Sequence, residues 1–484
     1  HSAPAAEGFT PARTIIADGQ TNVVTSSGEI LPLTHPRVKH LIPSMGRLST
    51  EAVAAAFRGR GYHMVPHPPA DEAVLKLGRA NTSCKECLPL ILTTGSLLNY
   101  IQNHKQDDEV LVFCIATASG PCRFGQYTIF MQDLIKKHKI PDVAFFSLTS
   151  ENGYGGMGCQ FDRWLWRSMV VADVMEDIRS MLLTNACDSE TAMRLFEEEW
   201  RLIVARLEGT RFADVEKQLA ASAARLRTIE LKRPPQEVPT ILLTGEIFVR
   251  RDELSRRNLT EKFARKGIAV TCGPIAEWVH YSEYLVLNGL TENSMSLREK
   301  LAFMIRHKFL IHDEKKIKAI LCRAGLVHTE PLDVTPIIEA GKRYISKEMT
   351  GEAILTVGGS LVDVAHHVSG VIAIGPFGCM PNRISESILN TAMNREGKLA
   401  TDPYNTELRN ILSDVEDLPF LAIETDGSPF PQLIQAQLEA FCLRAERLHA
   451  KMQKIQTVKA LHGDFSTSPP MRPIMSEMAG SPAH

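Results

Sequence analysis

The sequence predicts an α/β fold: two Rossmann-like parallel-sheet domains with helical insertions. Three observations predict it. Apolar, β-branched runs such as EVLVFCIA (109–116) and VIAIG (371–375) read as strands covered on both faces. Segments with apolar residues at three- and four-residue spacing alternate with these strands. A proline break, LKRPPQEVP (231–239), separates two such alternating blocks.

The elements follow in order. Residues 1–35 alternate β-branched and polar residues, with DG and SSG turn steps, and predict an extension of short strands. A first α/β domain spans 36–160. In it, Ser49 and Thr50 are N-cap candidates for a helix through EAVAAAFRGRG that Gly59 and Gly61 end. The strand EVLVFCIA, the helix TIFMQDLIKKHK and the strand DVAFFSLTS then give a βαβ rhythm. Residues 161–235 are helical and end in the linker, with Asp188 and Ser189 as N-cap candidates.

A second α/β domain spans 236–455. It has strands at TILLTGEIFV, IAVTCGP, VIAIGPFG and FLAIETDG, helices at LTEKFARKG, RISESILNTAMN and PQLIQAQLEAFCLRAERLHAKMQK, and a helical insertion near 296–326. Residues 456–484 have the composition of a flexible tail. No internal repeat is visible.

Composition narrows the function classes. The chain of 484 residues is 44% hydrophobic and 23% charged, with a formal net charge of −2. That balance leaves no electrostatic footprint for nucleic acid or an anionic membrane. No apolar run reaches the roughly 18–20 residues of a membrane span. HSAPAAEGFT reads as mid-protein sequence, so the chain is expected to be one part of a larger polypeptide. Ten cysteines without small-domain disulfide spacing suit a reducing cytoplasm.

Three cysteines stand where ligands meet α/β sheets. Cys87, in CKECLP, precedes a helix whose dipole favours a thiolate. Cys122, in ASGPCRFGQY, follows the strand EVLVFCIA, and Arg123 beside it can offset a bound group's negative charge. Cys379, in GPFGCMPN, occupies a turn shaped by Gly375 and Gly378, whose amides can hydrogen-bond sulfur. Converging thiols form a soft pocket suited to an iron–sulfur cluster.

Cys84 completes a CxxC with Cys87 but lacks the second CxxC of a zinc knuckle, and Cys159 ends the glycine-rich NGYGGMGC. Both are candidates for extra ligands. Cys114, Cys187, Cys322 and Cys442 read as core, and Cys272 as a secondary candidate. Glu246 and Glu424 stand at strand ends as acid–base candidates. Arg250 and Arg251 are placed to hold an anion, unless these strand ends are simply solvated. His366 and His367, adjacent on an expected helix, receive no ligand role.

CKECLP, SGPCRFGQY, GEIFVR, GPFGCMPN and PFLAIETDGSPFPQLIQAQLEAF together resemble the 2-hydroxyacyl-CoA dehydratase family. They resemble more closely the C-terminal reductase-like region of acyl-CoA dehydratase activase-related proteins. The resemblance implies a cluster at the junction of the two domains, held by Cys87, Cys122 and Cys379, with one iron open. The cluster would be 4Fe-4S, or a double-cubane 8Fe-9S if further thiols join. It also implies a low-potential electron from an ATP-hydrolysing activase, supplied by a separate protein or an upstream part of the chain. The substrate would be an acyl-CoA or another small molecule, and a homodimer is compatible with it. The function expected is an iron–sulfur reductase or dehydratase component. The alternatives are a non-catalytic electron relay or scaffold, and a structural zinc protein.

Overall fold

The computed structural model describes residues 9–17, 20–83, 85–117, 122–148, 159–290, 296–328 and 330–461. A three-stranded antiparallel sheet begins it: β1 (Arg13–Ala17), β2 (Gln20–Val24) and β3 (Ile30–Pro32). It is tied to the next sheet where the Thr14 hydroxyl donates to the Phe145 carbonyl at 3.1 Å.

The first parallel sheet contains β4 (Val38–Ile42), β5 (His63–Pro66), β6 (Val110–Ala116) and β7 (Val143–Leu148), in the order β5-β4-β6-β7. The second contains β8 (Thr240–Gly245), β9 (Ala269–Cys272), β10 (Val371–Pro376) and β11 (Phe420–Thr425), in the order β11-β10-β8-β9. Numbered along the chain within each sheet, both run 2-1-3-4. This shared topology is a structural repeat absent from the residue pattern, because strand pairing constrains burial and not residue identity.

The run VLVFCIA is buried along six of its seven residues, as a strand covered on both faces must be. Helices Arg47–Arg58, Cys159–Asn185, Ser189–Leu207 and Phe212–Leu226 share one core with the first sheet. Each fully buried Leu or Phe there contributes about 1.5–3 kcal/mol. Helix Leu88–Asn103 and helix Tyr127–His138 cover the opposite face. The second sheet is likewise enclosed on both sides. Leu75, Leu88, Ile91 and Leu92 of the first unit pack with Phe248 and Leu254 of the second. Arg79 donates to the Asp426 carbonyl at 2.7 Å across the same junction.

Some local expectations change. The first helix starts at Arg47 after Gly46, whose φ of 87° reverses the chain, rather than at Ser49 or Thr50. The Thr50 hydroxyl instead donates back to the Gly46 carbonyl at 2.9 Å. Asp188 does cap its helix, accepting from the Thr191 amide at 3.0 Å. Helix Glu352–Asp363 ends before His366 and His367, which occupy a turn. No helix among the described residues is long and apolar enough to cross a membrane.

Candidate functional site

Cys87, Cys122 and Cys379 share one local setting: each is the N-cap residue of a helix. Cys87 begins helix Leu88–Asn103, with Pro89 in the first turn, where a missing N–H costs nothing. Cys122 begins the short 3-10 turn Arg123–Gln126, and the Phe124 amide donates to its Sγ at 3.5 Å. Cys379 begins helix Met380–Ala392, after a turn in which Gly378 adopts φ 70°. At an N-cap, unpaired amides and the helix dipole favour negative charge on sulfur.

Cys122, Cys379 and Glu246 each lie just after a parallel strand, whereas Cys87 lies between two helices. In each sheet the strand order reverses between the first and third strands, and loops leaving their carboxyl ends part there. Cys122 follows β6 in the first sheet. Glu246 follows β8 and Cys379 follows β10 in the second. The three thiols are close enough for their charges to act on one another: Cys122 feels Cys87, and Cys379 feels Cys122. Glu246, from the second unit, acts on Cys87 and Cys122 of the first.

Burial raises all three thiol pKa values above the usual range and takes Cys379 to about 12. Glu246 and its neighbour Glu352 oppose ionisation of Cys122 and Cys379 further. The Tyr127 hydroxyl, 2.5 Å from Cys87 Sγ, and the Arg123 charge partly offset this at Cys87. By accessible surface, Cys87 and Cys379 are partly buried and Cys122 is exposed.

Glu246 and Glu352 form a coupled acid pair. Burial raises Glu246, although its Oε2 accepts from the Val249 amide at 2.8 Å. Burial and then the Glu246 charge raise Glu352 to about 8. Glu352 Oε1 accepts from the Ile247 amide at 2.8 Å and the Trp278 indole N–H at 3.2 Å. This carboxyl therefore keeps its proton at neutral pH.

The remaining expectations are placed as follows. Glu424 is engaged: it pairs with Arg383 at 3.2 Å and accepts from the Gly378 amide at 3.4 Å. Exposed Arg123 donates to the Lys85 carbonyl at 3.1 Å. Arg250 and Arg251 are neither solvated nor open to an anion. They are 2% and 4% exposed, and they pair with Glu277 at 3.0 Å and with Asp173. Cys272 is buried among these arginines, and its thiol donates to the Arg250 carbonyl at 3.3 Å.

Cys114 and Cys442 are core residues, but Cys187 is exposed and Cys322 only partly buried. Both sit at helix ends. Cys84 and the Cys159 side chain lie outside the described residues. None of the eight described cysteine side chains forms a disulfide.

Sequence reasoning missed Tyr127, Glu352 and Trp278. Tyr127 carries a signal, five residues beyond Cys122 in the same motif. Glu352 carries none, because 106 positions separate it from its partner Glu246. Phe377 and Met380, 72% and 45% exposed, give the Cys379 turn an apolar rim.

Among the described residues, the His/Cys/Asp/Glu group with ligand atoms all within 4.8 Å of one another is His280, Glu283 and His307, not the cysteines. Comparison with protein-family models, with curated proteins and with solved structures finds no match to this chain.

Proposed function

We propose that Cys87, Cys122 and Cys379 hold an iron–sulfur cluster, 4Fe-4S or part of a larger core, in a reductase or dehydratase component. The observation that supports this reading is the set of three N-cap cysteines on separate helices, with Cys122 and Cys379 following strands of the two parallel sheets and the charge of Cys122 felt by Cys379 as that of Cys87 is by Cys122. When bound, the cluster supplies a low-potential electron and an open iron.

The chain's own residues supply the rest. Helix N-termini offset thiolate charge, Tyr127 fixes Cys87, and Arg123 adds positive charge at the rim. The Glu246–Glu352 pair holds a proton beside the thiols, where a reduced substrate needs one. Electrons would come from an ATP-hydrolysing activase, and the resemblance to acyl-CoA dehydratase relatives makes an acyl-CoA the first substrate class to try.

The test is an anaerobic iron and sulfide count per chain after reconstitution, with a paramagnetic signal on reduction. Cys122→Ala and Cys379→Ala should each strip iron while far-UV circular dichroism persists, and Cys442→Ala should keep it. Equal iron in all three variants, or colourless zinc at these thiols, would overturn the reading.

A further inference from the structure

We infer that the chain carries a second metal site, for one zinc-class divalent cation, at His280, Glu283 and His307. One ligand atom from each lies within 4.8 Å of the others. His280 and Glu283 are three apart on helix Ala276–Leu287, and so share a face. His307 comes from the following helix, Leu297–Leu321. Neither helix contributes a site cysteine.

The site has the features a cation needs. His280 and Glu283 are each 3% exposed. Glu283 Oε2 meets His307 Nδ1 at 2.5 Å, while its buried Oε1 has no hydrogen-bond partner. A buried carboxylate with one unsatisfied oxygen costs about 1–3 kcal/mol, and coordination removes that cost. His280 Nε2 bonds Glu314 Oε2 at 2.7 Å, the carboxylate–histidine pairing that orients a ligating imidazole.

Glu314 is itself held in place. Its Oε1 accepts from Lys318 at 2.7 Å and from the Leu332 amide at 2.9 Å. Trp166 stands edge-on to His280 with centroids 5.1 Å apart and forms a dry wall. His307 is 28% exposed and provides an entry path.

Two imidazoles and one carboxylate select zinc and its neighbours over calcium or magnesium, which take oxygen donors. Three protein ligands leave a fourth position for solvent. The cation would staple the two helices together. The first of these also carries Glu277 against Arg250 and Trp278 against Glu352.

The test is zinc uptake by the full chain after chelation, measured by equilibrium dialysis, with Co2+ as a spectroscopic probe. One equivalent should bind, and Co2+ should give ligand-field bands without thiolate charge-transfer absorption. Cys122→Ser and the exposed control His328→Ala should leave this uptake intact. His307→Ala and the isosteric Glu283→Gln should weaken it at least about tenfold, with far-UV circular dichroism unchanged. No uptake, or uptake lost with Cys122→Ser and kept in His307→Ala, would overturn the site. Iron content reports separately on the cysteines, so either site can fail without the other.

Discussion

The Sγ of Cys87 and the phenolic oxygen of Tyr127 stand 2.5 Å apart, joining the N-terminus of one helix to that of the next. Burial and the Cys87 charge drive the Tyr127 pKa well above its usual value, so the phenol keeps its proton and is placed to donate to the Cys87 thiolate when that forms. Tyr127→Phe preserves ring packing and removes that donor. A hydrogen bond to a charged group is worth about 1.5–3 kcal/mol. Alkylation of Cys87 at pH 8 should therefore slow roughly tenfold, as followed by mass spectrometry. An unchanged rate would mean that the phenol does not support the thiolate.

Glu352 sets a pH dependence. Its folded pKa of about 8 lies above the ordinary 4.5, so between these values the folded chain holds a proton that the unfolded chain has lost. Stability contributed by this group is present below pH 4.5 and disappears as pH rises through 8. Glu352→Gln keeps a carbonyl oxygen for the Ile247 and Trp278 donors and cannot ionise. Urea midpoints between pH 6 and 9 should fall less steeply in the variant. Identical slopes would assign the dependence to other groups.

Lys398 acts in the opposite sense. It is fully buried, and its Nζ donates to the Leu361 and Val362 carbonyls at 2.9 and 2.7 Å, closing the end of helix Glu352–Asp363. Burial lowers its pKa to about 7 from 10.5, so the unfolded chain binds more protons between those values and stability rises with pH there. Lys398→Met should flatten that rise. At pH 7 it should also lose roughly 2 kcal/mol, from two carbonyls left without donors. Denaturant titrations at pH 7 and 10 measure both effects.

Gly245 closes β8 with φ 103°, and a Cβ built there would lie 2.1 Å from the Ile374 carbonyl oxygen on β10. Gly245→Ala forces the two central strands apart at the point where Glu246 leaves the sheet. The expected loss is roughly 3 kcal/mol, read from chemical denaturation. A loss near zero would show that the strand end relaxes freely.

Much of the fold was legible because burial leaves periodic traces. The runs VLVFCIA and VIAIGP are strands as expected, and Cys87 and Asp188 cap the helices that follow them. Helix starts were less legible. Gly46 defines the first helix through its backbone angle, and the capping hydroxyls nearby turned out to serve other bonds. The arginines after β8 read as anion-holding or solvated groups and are instead buried against Asp173 and Glu277. Those partners come from helices far along the chain, which no local pattern encodes.

By itself the sequence determined the two alternating blocks, their central strands and the turns that carry Cys87, Cys122 and Cys379, because hydrophobic period and turn chemistry act over a few residues. Only the tertiary structure decided that both sheets share one strand order and that Glu352 faces Glu246. It likewise decided that His307 meets Glu283. Such pairings depend on how separate elements close over a common core, and Coulomb and hydrogen-bond energies become large only after that closure removes water.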